Sequence, residues 1–238
     1  MSRENTYTGI ILKKQPLGDT DELITLFTKE QGKVRVLAKS VKSAKSKLQQ
    51  KLQALFFVEI RVATATLPKV IGVETVKTYS ALRENLEGLK NAFYALEFVL
   101  KFSADEQKNE KLFGIFESFL EFLNTIPKEQ ELDLGLLKFK LSALETVGFA
   151  VHFPKEVSLE QQLYFSPASG GFSLTRGGGA VDEQLFRLFL RLKSSRAVEI
   201  AKENFSRQTT ARLQILLSEF IEYQLERKLK SEKYLAMV

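Results

Sequence analysis

The fold is decided by the stretch from residue 7 to residue 39, which reads YTGIILKKQPLGDTDELITLFTKEQGKVRVLAK. It contains three short runs rich in aliphatic and β-branched residues, separated by the turn-forming segments Pro16-Leu17-Gly18-Asp19 and Gln31-Gly32. Two further runs of this type follow, at residues 55–64 and 70–79. Five short strands in so small a region are typical of a closed or partly open barrel. We predict an OB-fold; an SH3-like barrel, which uses similar strands, is the alternative.

Beyond Arg83 the spacing of the apolar residues becomes helical. The predicted helical stripes are Leu89, Phe93, Leu96 and Leu100; Leu112, Phe116, Phe119, Leu120 and Leu123; Leu134, Leu137, Leu141 and Leu144; and Leu213, Leu216, Leu217, Phe220, Ile221 and Gln224. Pro127 ends the second helix, Gly148 ends the third, and the last is predicted over residues 208–230. We therefore predict an α+β protein. An N-terminal five-stranded OB-fold β-barrel (1–80) precedes an all-α domain (81–238), which has a short irregular or hairpin excursion at about 150–181.

Positive charge is concentrated in the barrel region. Residues 1–80 contain 14 Lys and Arg against 7 Asp and Glu, whereas residues 81–238 contain 21 against 22, so the first third carries the whole surplus. Within it, residues 29–51 have eight basic residues and one acid, Glu30. Such a run favours contact with a nucleic-acid backbone, because phosphates spaced along a strand are neutralised by several mobile cations. The alternative is a solvated surface without a ligand.

Strand alternation predicts which side chains make this contact. It places Val34, Val36 and Ala38 of the third strand on one face and the basic residues on the other, before a loop with further lysines. On the fourth strand, Phe57 and Arg61 should face outward, where they could stack on unpaired bases, unless Phe57 packs under the helical domain. The candidate DNA-binding residues are Lys33, Arg35, Lys39, Lys42, Lys45, Lys47, Lys51, Arg61 and Phe57.

The sequence offers few groups for enzyme chemistry. The absence of cysteine and the single histidine, His152, exclude disulfides, thiolate sites and histidine-ligated zinc clusters. The triplet Gly177-Gly178-Gly179 lacks the Lys-Ser/Thr of a P-loop. The acids Asp19, Asp21 and Glu22 have the carboxylates that Mg²⁺ needs, but they lie in a predicted turn, which favours a turn-forming Asp19 and ordinary solvated acids. We predict a protein that is not an enzyme, without catalytic residues, metal site or cofactor. No apolar run approaches the ~18 residues of a membrane span, so we expect a cytoplasmic, nucleoid-associated protein without membrane contact.

Several short motifs resemble the RecO family of bacterial DNA repair proteins. No single motif is diagnostic, but their order and spacing over nearly the whole chain are similar to those of the family. The motifs are Tyr7-Thr8-Gly9-Ile10-Ile11-Leu12, Gly18-Asp19-Thr20-Asp21, Leu26-Phe27-Thr28-Lys29-Glu30-Gln31-Gly32-Lys33, Ala38-Lys39 with Lys42, Lys45 and Ser46, Ala95-Leu96-Glu97 with Leu100, Lys138-Phe139 with Leu144, Gly148-Phe149, and Tyr223-Gln224-Leu225-Glu226-Arg227-Lys228-Leu229-Lys230-Ser231.

The resemblance implies a recombination mediator. Its members combine an N-terminal OB-fold with a helical domain, bind single- and double-stranded DNA, and anneal complementary strands. With RecR they help to load RecA onto DNA covered by single-strand DNA-binding protein, whose C-terminal tail contacts the helical domain. The annealing role rests on the resemblance alone. From the residues themselves, an RNA-binding factor in translation or ribosome assembly and a pure protein adaptor remain alternatives.

This chain departs from the family pattern in two places. Ser40 and Ala44 stand where the family usually has a glycine and a proline, so the backbone of the basic loop is expected to differ. Many members hold a structural zinc with four cysteines in the excursion, whereas this chain has none and retains only the turn Gly170-Gly171. The excursion is therefore expected to hold its shape without metal.

Overall fold

The computed structural model describes residues 4–42, 46, 48–154, 161–203 and 205–235, and it has the predicted α+β architecture. The N-terminal strands are β1 (Glu4–Leu17), β2 (Asp21–Thr28), β3 (Gly32–Ala38), β4 (Phe57–Ala63) and β5 (Lys69–Lys77), with a short helix α1 (Leu48–Lys51) between β3 and β4. They form a closed barrel in the order β1-β2-β3-β5-β4, in which β1 returns to β4. This is the five-stranded barrel of an OB-fold.

The strand pairing is uneven around the barrel. β1 is long enough to pair with β4 through residues 4–10 and with β2 through residues 9–17, both antiparallel. In contrast, β3 and β5 are parallel neighbours that pair only at Leu37 and Lys69. The wall is therefore incomplete between β3 and β5. The barrel core consists of Tyr7, Ile11, Ile24, Leu26, Val34, Val36, Ala38, Val41, Leu52, Val58, Ile60, Val62 and Val73.

The second region is mainly helical. Its helices are α2 (Ser80–Glu84), α3 (Leu86–Phe102), α4 (Glu110–Asn124), α5 (Glu129–Thr146), α6 (Glu183–Ser194), α7 (Ala197–Ile200), α8 (Arg207–Leu225) and α9 (Glu232–Leu235). The side chains of Asn85, Asn109, Asp182 and Ser206 cap α3, α4, α6 and α8 by accepting backbone N–H bonds. α5 is buried on most sides because it contacts α3, α4, α6, α7 and α8.

The predicted helical stripes lie on α3, α4, α5 and α8. The last helix ends at Leu225, earlier than predicted, because Glu226 adopts a left-handed conformation with φ 55°. Helix α6 was not predicted, although Leu185, Leu188, Phe189 and Leu192 have helical spacing and are buried. None of the helices in the described ranges is long and apolar enough to cross a membrane.

The excursion is a small sheet held by phenylalanines. It contains β6 (Leu163–Ser166), β7 (Gly171–Ser173) and β8 (Gly179–Val181) in the order β7-β6-β8. The Phe172 ring lies 4.9 Å from that of Phe165 and 4.6 Å from that of Phe189 on α6, and Phe153 lies 5.4 Å from Phe189. His152 acts through its backbone, which exchanges hydrogen bonds with Gly170 and Phe172. Aromatic packing thus joins the excursion to the helices.

Candidate nucleic-acid interface

Three of the predicted basic residues are exposed on the barrel. Lys39, Lys42 and Arg61 make no ion pair with any residue that the structure describes. The backbone amide of Lys42 donates to the Thr20 carbonyl (3.1 Å), which places Lys42 beside the β1–β2 turn. Arg61 lies opposite Gly72, where a Cβ would be 2.9 Å from Nη2 of Arg61, so the lack of a side chain leaves room for the guanidinium. These cations are available to a ligand.

Lys69 belongs to the same surface, although the sequence analysis did not single it out. It pairs with Leu37, two residues before Lys39, and with Ala63, two residues after Arg61. Because residues two apart on a strand face the same side, Lys69 stands between Lys39 and Arg61. It is exposed and has no ion pair within the described part of the chain. We call Lys39, Lys42, Lys69 and Arg61 the open row.

The remaining basic candidates differ in availability. Arg35 is 59% exposed, and its Nη2 lies 3.2 Å from Oδ2 of Asp105, so this cation is shared with one carboxylate. Lys51 is exposed and its ammonium donates to the Val73 carbonyl (3.0 Å), which ties it to β5. Lys45 and Lys47 lie outside the described residues.

The prediction that Lys33 faces solvent is wrong. Its side chain is only 14% exposed and pairs with the Asp105 carboxylate at 3.2 Å. Its ammonium also donates to the backbone carbonyl oxygens of Leu100 (3.1 Å) and Ser103 (2.7 Å) at the end of α3, where a cation complements the carbonyl end of the helix dipole. Alternation correctly puts Lys33 outside the barrel core, but the helical domain covers that side. Gly32 permits this approach, since a Cβ there would lie 1.9 Å from the Gln107 carbonyl oxygen.

The prediction that Phe57 projects outward to stack on bases is also wrong. The residue is 3% exposed and belongs to the core of the helical domain. Its ring centroid lies 6.0 Å from that of Phe113 on α4, and the Lys29 ammonium stands 4.9 Å from its centroid. The ring therefore points away from the barrel core, as alternation requires, and packs under the helical domain.

Two further cations connect the barrel to α4. Lys29 lies 3.6 Å from the Glu117 carboxylate, and Lys77 lies 3.8 Å from the same group and also pairs with Glu121. The hydrogen bond from Lys77 to Glu121 raises the pKa of Lys77 above its usual value. Glu117 and Glu121 are four residues apart and so share one helix face. This acidic pair is the sequence signal that could have indicated a helix partner for the barrel lysines. We call Lys29, Lys33, Lys77 and Phe57 the covered set because each contacts the helical domain, although the side chains of Lys29 and Lys77 remain 45% and 42% exposed.

The acidic residues near the interface make local contacts within the barrel. Within the described ranges, no group of three or more His, Cys, Asp and Glu residues could hold a metal ion. The predicted turn acids illustrate this: Asp21 accepts the backbone amide of Ser40 (2.8 Å), and Glu22 pairs with Lys14 at 3.4 Å. These carboxylates therefore stabilise the barrel locally.

Comparison with known proteins connects both parts of the chain to one family. A family model described as "Recombination protein O N terminal" matches residues 1–79, and one described as "Recombination protein O C terminal" matches residues 83–233. A protein of Dehalococcoides mccartyi named DNA repair protein RecO is 26% identical over 234 residues, covering 94% of this chain and 91% of the relative. A Myxococcus xanthus protein of the same name is 29% identical over 241 residues, covering 97% and 96%. One from Synechococcus is 32% identical over 179 residues, covering 69% and 62%. The chain therefore belongs to the RecO family of DNA repair and recombination proteins.

Proposed function

We propose that the open row binds the phosphates of DNA without sequence specificity. The observation that carries this proposal is a group of exposed cations without carboxylate partners, beside the shared cation of Arg35. Cations on a barrel surface neutralise successive phosphates and release counterions. The open row lies on strands and loops, and α1, the helix that carries Lys51, has only four residues, too few to read base pairs in the major groove. Single and double strands should therefore both bind.

Family membership extends this proposal to a recombination mediator. A cationic surface reduces the repulsion between two strands, so complementary sequences can meet and pair. We infer that the protein anneals complementary strands and, with RecR, helps to load RecA onto DNA coated by single-strand DNA-binding protein. The helical domain, whose formal charge is nearly balanced, would contact the protein partners, among them the tail of that binding protein.

A salt titration of binding tests the first step. For a single strand, the logarithm of the affinity should fall with the logarithm of the salt concentration with a slope of about −2 to −3, from about four phosphate contacts. A flat slope would contradict phosphate binding and favour the protein adaptor. Competition between DNA and RNA of one sequence separates the mediator from an RNA-binding factor, since the mediator should retain DNA.

An annealing assay tests the second step. Complementary strands coated with single-strand DNA-binding protein should pair faster with this protein than without it, and RecR should be needed for RecA loading. Normal DNA binding without annealing would leave phosphate binding intact and reject the mediator role.

A further inference from the structure

The chain after α8 forms a short segment that lies on the helical domain. It leaves α8 at Glu226, which has a left-handed conformation, and it ends in α9, which has only four residues. A helix of this length is not stable on its own, so its conformation depends on what it packs against. We call residues 227–235 the C-terminal segment.

One carboxylate on α3 anchors the C-terminal segment. Glu97 accepts hydrogen bonds from the backbone amides of Lys230 (3.0 Å) and Ser231 (2.7 Å) and from the Ser231 hydroxyl (2.7 Å). Leu229, which is buried, and Leu235, which is partly buried, pack against the core of the helical domain. The attachment thus combines one charged anchor with a small apolar contact.

The C-terminal segment closes over a buried cation. The Lys140 ammonium on α5 donates to the Ser218 hydroxyl on α8 (2.8 Å) and stands 4.7 Å from the centre of the Tyr94 ring on α3. The Glu232 carboxylate on α9 lies 3.7 Å from the same ammonium. The Tyr94 hydroxyl is also buried and has no hydrogen-bond partner within the described ranges. Closure therefore removes water from a cation and leaves a hydroxyl unsatisfied.

The closed arrangement balances two electrostatic effects. Desolvation lowers the pKa of Lys140 in spite of the opposing effect of Glu232, so closure acts against the charged form of the lysine. Desolvation also raises the pKa of Glu97, but the hydrogen bonds from Ser231 and Lys230 outweigh it and leave this pKa below its usual value. Opening would relieve the cost at Lys140 and lose the contacts at Glu97.

We propose that the C-terminal segment is a reversible latch, which is held by Glu97, is opposed by the burial of Lys140, and opens without unfolding of the helices beneath it. Opening gives solvent access to a cleft between α3, α5 and α8 that contains Tyr94, Lys140 and Ser218. In the closed state this cleft is hidden. The inference does not depend on the proposed DNA binding, because the open row lies on the barrel.

Thiol labelling of one introduced cysteine tests the latch, since the chain has no cysteine of its own. Ser231→Cys places the probe in the latch, and Ser103→Cys places the control at another buried serine, at the end of α3. In the folded full chain the latch probe should react at least about 100-fold faster, because local opening costs less free energy than global unfolding. Low denaturant should leave its rate nearly unchanged and accelerate the control.

Substitutions in the Ser231→Cys background should move the latch in opposite directions. Lys140→Met removes the buried charge and keeps an apolar side chain of similar length, so it should slow labelling about ten-fold. Glu97→Gln weakens the anchor and should speed labelling about ten-fold. The matched control is Glu219→Gln, which removes the charge of an exposed acid on α8 and should leave the rate unchanged.

Hydrogen exchange of the wild-type protein checks the result without any substitution. The Ser231 amide should exchange at least about 100-fold faster than the Leu137 amide in the buried middle of α5. Equal exchange of these amides, or equal labelling of the two cysteine probes with the same denaturant dependence, would mean that the segment opens only by global unfolding and would reject the latch. Faster labelling in Lys140→Met would show that the lysine is an anchor and overturn the proposed balance.

Discussion

Two sides of one barrel use the same residue types for different purposes. In the covered set, Lys29, Lys33 and Lys77 hold carboxylates or carbonyls of the helical domain, and Phe57 is buried against α4. The cations of the open row have no carboxylate partner among the described residues. Mutations of the two sides should therefore change different properties. Mutations in the covered set should lower stability, and mutations in the open row should weaken DNA binding. The lesson is that a count of basic residues overestimates the charge available to a ligand.

The largest effect is expected from Phe57→Ala on the covered side. Removing a fully buried phenylalanine should lower the free energy of unfolding by about 3–5 kcal/mol, measured by denaturant titration. DNA affinity, measured where the variant is still folded, should match that of the wild type. A large loss of affinity in the folded variant would mean that this ring serves binding after all, and the division between the two sides would be lost.

The next largest effect is a loss of DNA affinity, which is expected from mutations in the open row. Lys39→Ala with Lys69→Ala should lower the affinity for single-stranded DNA by about 2 kcal/mol, and the salt slope should become shallower by about 1.4, from two lost phosphate contacts. The matched control is Lys29→Ala with Lys77→Ala, which removes the same charge from the covered set. It should leave the slope unchanged and reduce stability modestly. Equal effects on binding from both pairs would show that only total charge matters.

A third prediction extends the comparison to a cation covered completely. Lys140 on α5 is 1% exposed; its ammonium donates to the Ser218 hydroxyl (2.8 Å), lies 3.7 Å from Glu232 and stands over the Tyr94 ring. Desolvation lowers its pKa from the model-compound value of 10.5 to about 8. Between those two pH values the unfolded chain binds the extra proton, so this lysine makes stability rise with pH.

Lys140→Met isolates that contribution. Relative to the variant, the wild type should gain roughly 1 kcal/mol of unfolding free energy for each pH unit between about 8 and 10.5, measured by denaturant titration at several pH values. Below pH 8 the difference should be constant. Parallel curves across the whole range would mean that Lys140 has the same pKa in the folded and unfolded states.

The smallest effect is expected at Asp105, where the two sides meet. Asp105→Asn releases Arg35 and Lys33 from a half-exposed carboxylate, and should raise single-strand affinity about two- to three-fold with a steeper salt slope. Stability should fall by no more than about 1 kcal/mol, as for other exposed ion pairs. Glu74→Gln, an exposed acid on β5 opposite Glu59, is the control for a general change of charge. An equal gain from both variants would deny Asp105 a specific role.

Local patterns predicted the fold well. Alternation and turn residues predicted the five barrel strands, and apolar spacing predicted four of the longer helices, because both signals depend on neighbours within the same element. The same spacing was present on α6, where Leu185, Phe189 and Leu192 share a face, so its omission was not a limit of the sequence. The small sheet of the excursion had weaker signals, because its strands are only three or four residues long.

The sequence by itself determined the barrel, the helical domain, the concentration of positive charge in the first third and the resemblance to one family. Only the tertiary structure decided which cations remain available. Lys33 and Lys39 lie on one strand and its extension, and alternation treats them alike, yet the helical domain covers one and not the other. Lys69 lies beside the basic residues of β3 because it pairs with Leu37, a contact that the sequence alone did not indicate. The physical reason is that alternation says which face a side chain leaves from, whereas its exposure depends on what distant chain segments pack against that face.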